Sequence, residues 1–159
     1  MIKPSWSKIL ATTDFSAHSN TAIEYAHGLA EMVGAELHVL HVVDDSRGAA
    51  ANYGATGVFD PQALCDSTEW LRNLLGDQGT VRRLEVVRIG KNVAEKILEY
   101  ATAQHMDLVV MASHGRTGLA HLWLGSNAEK VVRSSPCPVL VLRPEPESVA
   151  ALAPEAVPT

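Results

Sequence analysis

Short apolar runs alternate along this chain with longer stretches in which apolar residues return every three or four positions. The runs at 9–13, 37–43, 84–89, 106–111 and 138–142 are rich in β-branched residues and too short for helices, so they read as strands. Between them the period changes. In 20–33, Ala22, Ile23, Ala26, Leu29, Ala30 and Val33 form one helical face, and Gly34 stands just past its end. Asp14-Phe15-Ser16 makes the preceding turn, with Ser16 or Ser19 available as the N-cap. Pro61 suits the first turn of a helix running to Leu75, whose Leu64, Thr68, Leu71, Leu74 and Leu75 share a face. Gly76-Asp77-Gln78-Gly79 ends it. Val93, Ala94, Ile97, Leu98 and Ala101 mark a third helix, and 127–133 a fourth.

Strand and helix therefore alternate throughout, and the strands are apolar along most of their length. That combination predicts an α/β fold: an open, five-stranded parallel sheet with helices on both faces and right-handed crossovers. Residues 46–61 break the rhythm with small residues and no period, and are expected to form a long mobile connection. Residues 144–159 are rich in proline and alanine and aperiodic, so a disordered tail is expected after a single domain over 1–143.

Composition narrows the function classes. The 159 residues are 19% charged and 47% hydrophobic, with formal net charge −5, and Arg82-Arg83 is the densest basic pair. A nucleic-acid partner is not expected. No apolar run reaches the ~18–20 residues that span a bilayer, so no membrane association is expected. The first ten residues lack an apolar core followed by a cleavage site, so no signal peptide is expected. Two cysteines, Cys65 and Cys137, make no framework of bridges, and a reduced cytoplasmic setting follows as the expectation.

The candidate chemistry lies in 107–126. Strand residues up to Met111 lead into Ala112-Ser113-His114-Gly115-Arg116-Thr117-Gly118, and Gly125-Ser126 then heads the fourth helix at Asn127. A strand, a glycine-bearing loop and a helix N-terminus make an anion cradle, in which backbone N–H groups and the helix dipole face one spot. The other reading is a surface loop whose glycines only make turns. Ligands of such sheets sit beyond the carboxyl ends of the strands. Thr12-Thr13-Asp14 and His41-Val42-Val43 end two further strands there. Asp14 is either a turn-former or a ligand contact, and Ser126 a helix cap, a phosphate contact or both. His38 and His41, three apart in a strand, point to opposite faces and do not form a ligand pair. Among the seven histidines, His114 alone is placed at the site. Neither cysteine has a neighbour that would activate it, and Trp123 reads as packing or as a shelf for a base.

In these segments the chain resembles the universal stress protein family over about residues 5–143. The segments are KILATTDFS at 8–16, VLHVVD at 39–44, DLVVMASHGRTG at 107–118, LGSNAEKVVR at 124–133 and PCPVLVLR at 136–143. The resemblance implies strand order 3-2-1-4-5, a homodimer paired through Val139–Leu142 and, in one branch, ATP at the glycine loop. That branch carries G-x2-G-x9-G-[ST]; here Gly115, Gly125 and Ser126 match, and Ala112 replaces the first glycine. Carried over, Asp14 lies beside the ribose or a metal, with Thr13 next to it, and Val42 offers backbone groups to adenine. Gly115, Gly125 and Ser126 line the phosphates, with His114 and Arg116 close by, and Ala112, Gly118 and Asn127 complete the cofactor-binding set. Mg²⁺ is expected with the ATP, by residues unassigned. No G-x-x-x-x-G-K-[ST] occurs and no base to orient water is evident, which favours a regulatory module in stress response over a turnover enzyme. The alternative is a stress-tolerance or protein-interaction module that uses the same fold without nucleotide.

Overall fold

The computed structural model describes residues 5–44, 61–75, 80–114 and 124–143; in the second helix, side chains are described for 65–73. The expected mobile connection, the 76–79 helix stop and the tail from 144 lie outside these residues, apart from Pro61.

The elements follow the predicted alternation: β1 (Lys8–Thr13), α1 (Ala17–Val33), β2 (Glu36–Asp44), α2 (Pro61–Leu75), β3 (Arg83–Gly90), α3 (Val93–Ala103), β4 (Leu108–Ala112), α4 (Ser126–Ser134) and β5 (Val139–Leu142). All strand pairs are parallel, in the order β3-β2-β1-β4-β5. Among the described residues no helix is long and apolar enough to cross a membrane.

Alternate strand residues feed two cores, as the two-residue period requires. Ile9, Ala11, Leu37, Val39, Leu108 and Val110 pack with Ala22, Ile23, Ala26 and Ala30 of α1 and with Leu71 of α2. On the other face, Leu10, Leu40, Val42, Val109 and Met111 pack with α3 through Ala94, Ile97 and Tyr100, and with α4 through Ala128 and Val131. The two histidines of β2 separate accordingly. His38 is buried against α3, with Nδ1 2.7 Å from the Tyr100 hydroxyl and Nε2 3.0 Å from Glu36 Oε1. His41 faces the opposite way, donating from Nδ1 to the Thr13 carbonyl at 2.9 Å.

Helix ends depart from the periodic pattern where caps act. α1 starts three residues before the expected 20 because the Ser16 hydroxyl accepts the Ser19 N–H at 3.2 Å. It ends at Gly34, φ 72°, a left-handed conformation that glycine adopts without a Cβ penalty. β4 begins at Leu108, not 106, because the Met106 N–H closes the end of α3 on the Ala101 carbonyl. Asp107 then ties the bottoms of β4 and β1 together, its Oδ2 accepting the N–H groups of Ser7 and Lys8 at 2.7 and 2.9 Å.

Candidate functional site

The sheet opens at its carboxyl end for reasons of strand length. β1 pairs with β4 as far as Ala11–Val110, and beyond that the two strands separate. β1 stops at Thr13 opposite His41, whereas β2 continues to Asp44. No described strand covers the β1 side of Val42, Val43 and Asp44. A cleft of about 530 Å³ occupies this space, between the ends of β1, β2 and β4 and the starts of α3 and α4. It lies at the switch point, where the chain order runs outward from β1 in both directions.

One end of the cleft is built by the turn after β1. Phe15 N donates to Thr13 Oγ1 at 2.9 Å, and Asp14 Oδ1 accepts from the Ser16 N–H at 3.1 Å and the Ser16 hydroxyl at 2.6 Å. Asp14 is thus a turn-former, and it also lines the cleft. These bonds hold Phe15 at φ 64°, a left-handed conformation costing a side-chain-bearing residue about 1–2 kcal/mol. The ring so placed lies 4.3 Å from the His41 ring and 5.3 Å from that of Trp70 on α2. Asp66 and Ser67, a turn earlier on α2, line the same space.

The other end is built by β4 and α4. Ser113 is buried; its N–H donates to the Leu142 carbonyl at 2.7 Å and its carbonyl accepts the Gly125 N–H at 2.8 Å. Its hydroxyl meets His114 Nδ1 at 3.0 Å. Gly125, not Ser126, is the N-cap of α4, and no described side chain caps the helix. Ser126 and Asn127 are exposed residues of the first turn. The expectation that Ser126 caps is corrected on this point: the chain enters the helix one residue earlier, because the Gly125 N–H is drawn to β4. Gly125 has φ −66°, so it is not needed for a left-handed turn. A Cβ there would sit 3.0 Å from the Ser113 carbonyl oxygen, so close approach to β4 is what calls for glycine. Ala112, at the first motif position, ends β4 opposite Leu142 without positive φ, and its methyl packs in the α1-side core.

Charge divides the cleft. Asp14, Asp44 and Asp66 line the β1–β2–α2 end, whereas Ser113, His114, Gly125, Ser126 and Asn127 at the β4–α4 end present no carboxylate. Among the described residues no three His, Cys, Asp or Glu side chains group as a metal site. Cys65 is exposed on α2, and burial pushes the half-buried Cys137 thiol up, away from nucleophilic reactivity.

The structure brings Thr13, Asp14, Val42, Ala112, His114, Gly125, Ser126 and Asn127 to one cleft. Gly115, Arg116, Gly118 and Trp123 lie outside the described residues. His114 is not the only histidine at the site, since His41 lines it too. Phe15, Trp70 and Asp66 line it as well, none of them marked by the glycine motif. Trp70 carried a signal in the sequence: it stands off the Leu64–Thr68–Leu71 stripe, and the helix leaves it 60% exposed beside fully buried Leu71.

Residues 5–143 match the family model described as the universal stress protein family. The universal stress protein MJ0531 of Methanocaldococcus jannaschii is 30% identical over 151 residues, covering 87% of this chain and 82% of that protein. The solved structure of MJ0577, from the same organism, superposes with TM-score 0.77 at 26% identity, covering 89% of this chain and 99% of that one. A universal stress protein in complex with cAMP gives TM-score 0.61 at 23% identity, covering 87% and 97% of the two chains. One from Archaeoglobus fulgidus in complex with dAMP gives 0.61 at 16%, covering 86% and 98%. These last two attest the fold. With the family model spanning residues 5–143, the chain belongs to the universal stress protein family.

Proposed function

We propose that this chain is a nucleotide-dependent regulatory module that takes ATP with Mg²⁺ in the cleft and hydrolyses it slowly or not at all. The observation that carries the reading is the start of α4. Its N-cap is a glycine and no described side chain caps it, and the described cleft-lining residues beside this positive end of the helix dipole carry no carboxylate. Phosphates belong there, held by Gly125, Ser126 and Asn127, with Ala112 and His114 adjacent. Gly115, Arg116 and Gly118 join them by the family resemblance.

The opposite end suits a nucleoside. The overhanging edge of β2 at Val42 supplies backbone donors and acceptors to a base, and Asp14 beside Thr13 accepts from ribose hydroxyls. Carboxylates at that end disfavour phosphate, which sets the direction in which the nucleotide lies. Mg²⁺ would arrive on the phosphates, which supply most of its oxygen ligands. Universal stress proteins with solved structures in complex with cAMP and dAMP support a nucleotide as the ligand class. Bound ATP here would act by changing the surface offered to a protein partner, with hydrolysis slow or absent.

Mass analysis of small molecules released on denaturing the purified protein, followed by calorimetry with ATP and Mg²⁺, tests the reading. Saturable binding at micromolar to millimolar ATP is expected. A folded protein that binds no ATP at millimolar concentration would leave the alternative, an interaction module of the same fold.

A further inference from the structure

We infer that Phe15, His41 and Trp70 form a stacking wall for the nucleotide's base, with Trp70 of α2 as its specificity-determining residue. The inference rests on the nucleotide reading above and extends it to a helix outside the glycine motif. Trp70 is 60% exposed, and its ring meets Phe15 edge-on at 5.3 Å and lines the cleft. It is held in that position. Leu71, the next residue, is fully buried under the sheet, which fixes the rotation of α2 and keeps Trp70 from turning inward. Phe15 is held in turn by its left-handed backbone and by His41 at 4.3 Å.

Strain of this kind persists only where its surroundings enforce it, and here it orders a row of π surfaces along one side of the cleft. Val93 and Ile97 of α3 supply apolar surface to the same cleft, and the end of β2 that overhangs β1 supplies polar backbone. A flat heteroaromatic ring with donors and acceptors on its rim matches this set: apolar faces and a hydrogen-bonding edge. Asp66, one turn before Trp70, adds an acceptor for an exocyclic amine or a hydroxyl and opposes phosphate.

The test compares wild type with Trp70→Ala and Trp70→Phe, by calorimetry and by tryptophan emission with ATP and Mg²⁺. Alanine suits an exposed helix position, and circular dichroism checks that both variants fold. Trp70→Ala should weaken ATP about tenfold, and Trp70→Phe should stay within about threefold of wild type. ATP should quench wild-type emission, and the quench should vanish in Trp70→Ala. If wild type binds ATP and Trp70→Ala binds it equally, the wall is refuted and the nucleotide reading stands. Weaker binding in Trp70→Ala with wild-type emission unmoved by ATP would make Trp70 a prop for Phe15, which also refutes it. A wild type that binds no ATP overturns both.

Discussion

Replacing Gly125 by alanine probes the junction on which the proposed phosphate site depends. The added Cβ would stand 3.0 Å from the Ser113 carbonyl oxygen and 3.8 Å from the His114 Cα, both backbone atoms. The carbonyl cannot swing away freely, because it accepts the Gly125 N–H at 2.8 Å while the Ser113 N–H is committed to Leu142. Relief requires the α4 N-terminus to move by a few tenths of an ångström away from β4. Overpacking on this small scale, together with alanine's poor fit at an N-cap, costs about 1–2 kcal/mol. For a chain of this size Tm should fall by roughly 2–8 °C. The same displacement misaims the first-turn N–H groups, and losing part of one charge-assisted bond weakens ATP about five- to tenfold. Thermal unfolding and calorimetry read the two effects separately. Gly28→Ala is the control, since a Cβ there meets nothing within 4 Å. If Gly125→Ala matches wild type in both Tm and ATP affinity, close packing of Gly125 on β4 does not govern the junction.

Two helix glycines should respond in opposite directions. Gly28→Ala, within α1, should stabilise by about 0.5–1 kcal/mol, whereas Gly34→Ala at φ 72° should destabilise by about 1 kcal/mol; equal unfolding midpoints would contradict the backbone argument. His38 is held below its usual 6.5 chiefly by burial, against the raising influence of Glu36, so its contribution to stability is complete above pH 6.5 and is lost as pH falls through the folded-state value. Urea unfolding from pH 8 to 5 should show a steeper loss for wild type than for His38→Gln, and parallel curves would exclude His38 as the cause. The homodimer expected through β5 is open to a single substitution. The carbonyls of Pro138 and Leu142 point at β4, so by alternation the backbone of Val141 faces the sheet's open edge. Val141→Pro should therefore leave the β4 ladder intact and yield monomer by light scattering, and a dimer that survives it pairs elsewhere.

The alternation of short β-branched runs with three-to-four periodic stretches was sufficient for the five parallel strands and the helices between them, because burial on both faces leaves the central strands β1, β2 and β4 little choice but to be apolar, and the outer strands β3 and β5, though less buried, keep their β-branched runs. The opposite orientations of His38 and His41 also followed from periodicity alone. Strand order was not available in this way; it came from resemblance to a family and was borne out by the sheet, since nothing local tells β4 to pair with β1 rather than β3. The cap at Gly125 was not legible in the sequence because its N–H donates to the carbonyl of Ser113, twelve residues earlier and just past β4, and that bond sets where α4 begins. The aromatic row was not legible for a similar reason. Phe15, His41 and Trp70 come from a turn, a strand end and a helix face that are far apart in the chain, and only the packing of α2 over the end of β2 makes them neighbours. Periodicity reports which side of an element is buried; which residues of different elements meet beyond the ends of the strands is decided by relative strand length and helix rotation, and these are tertiary quantities.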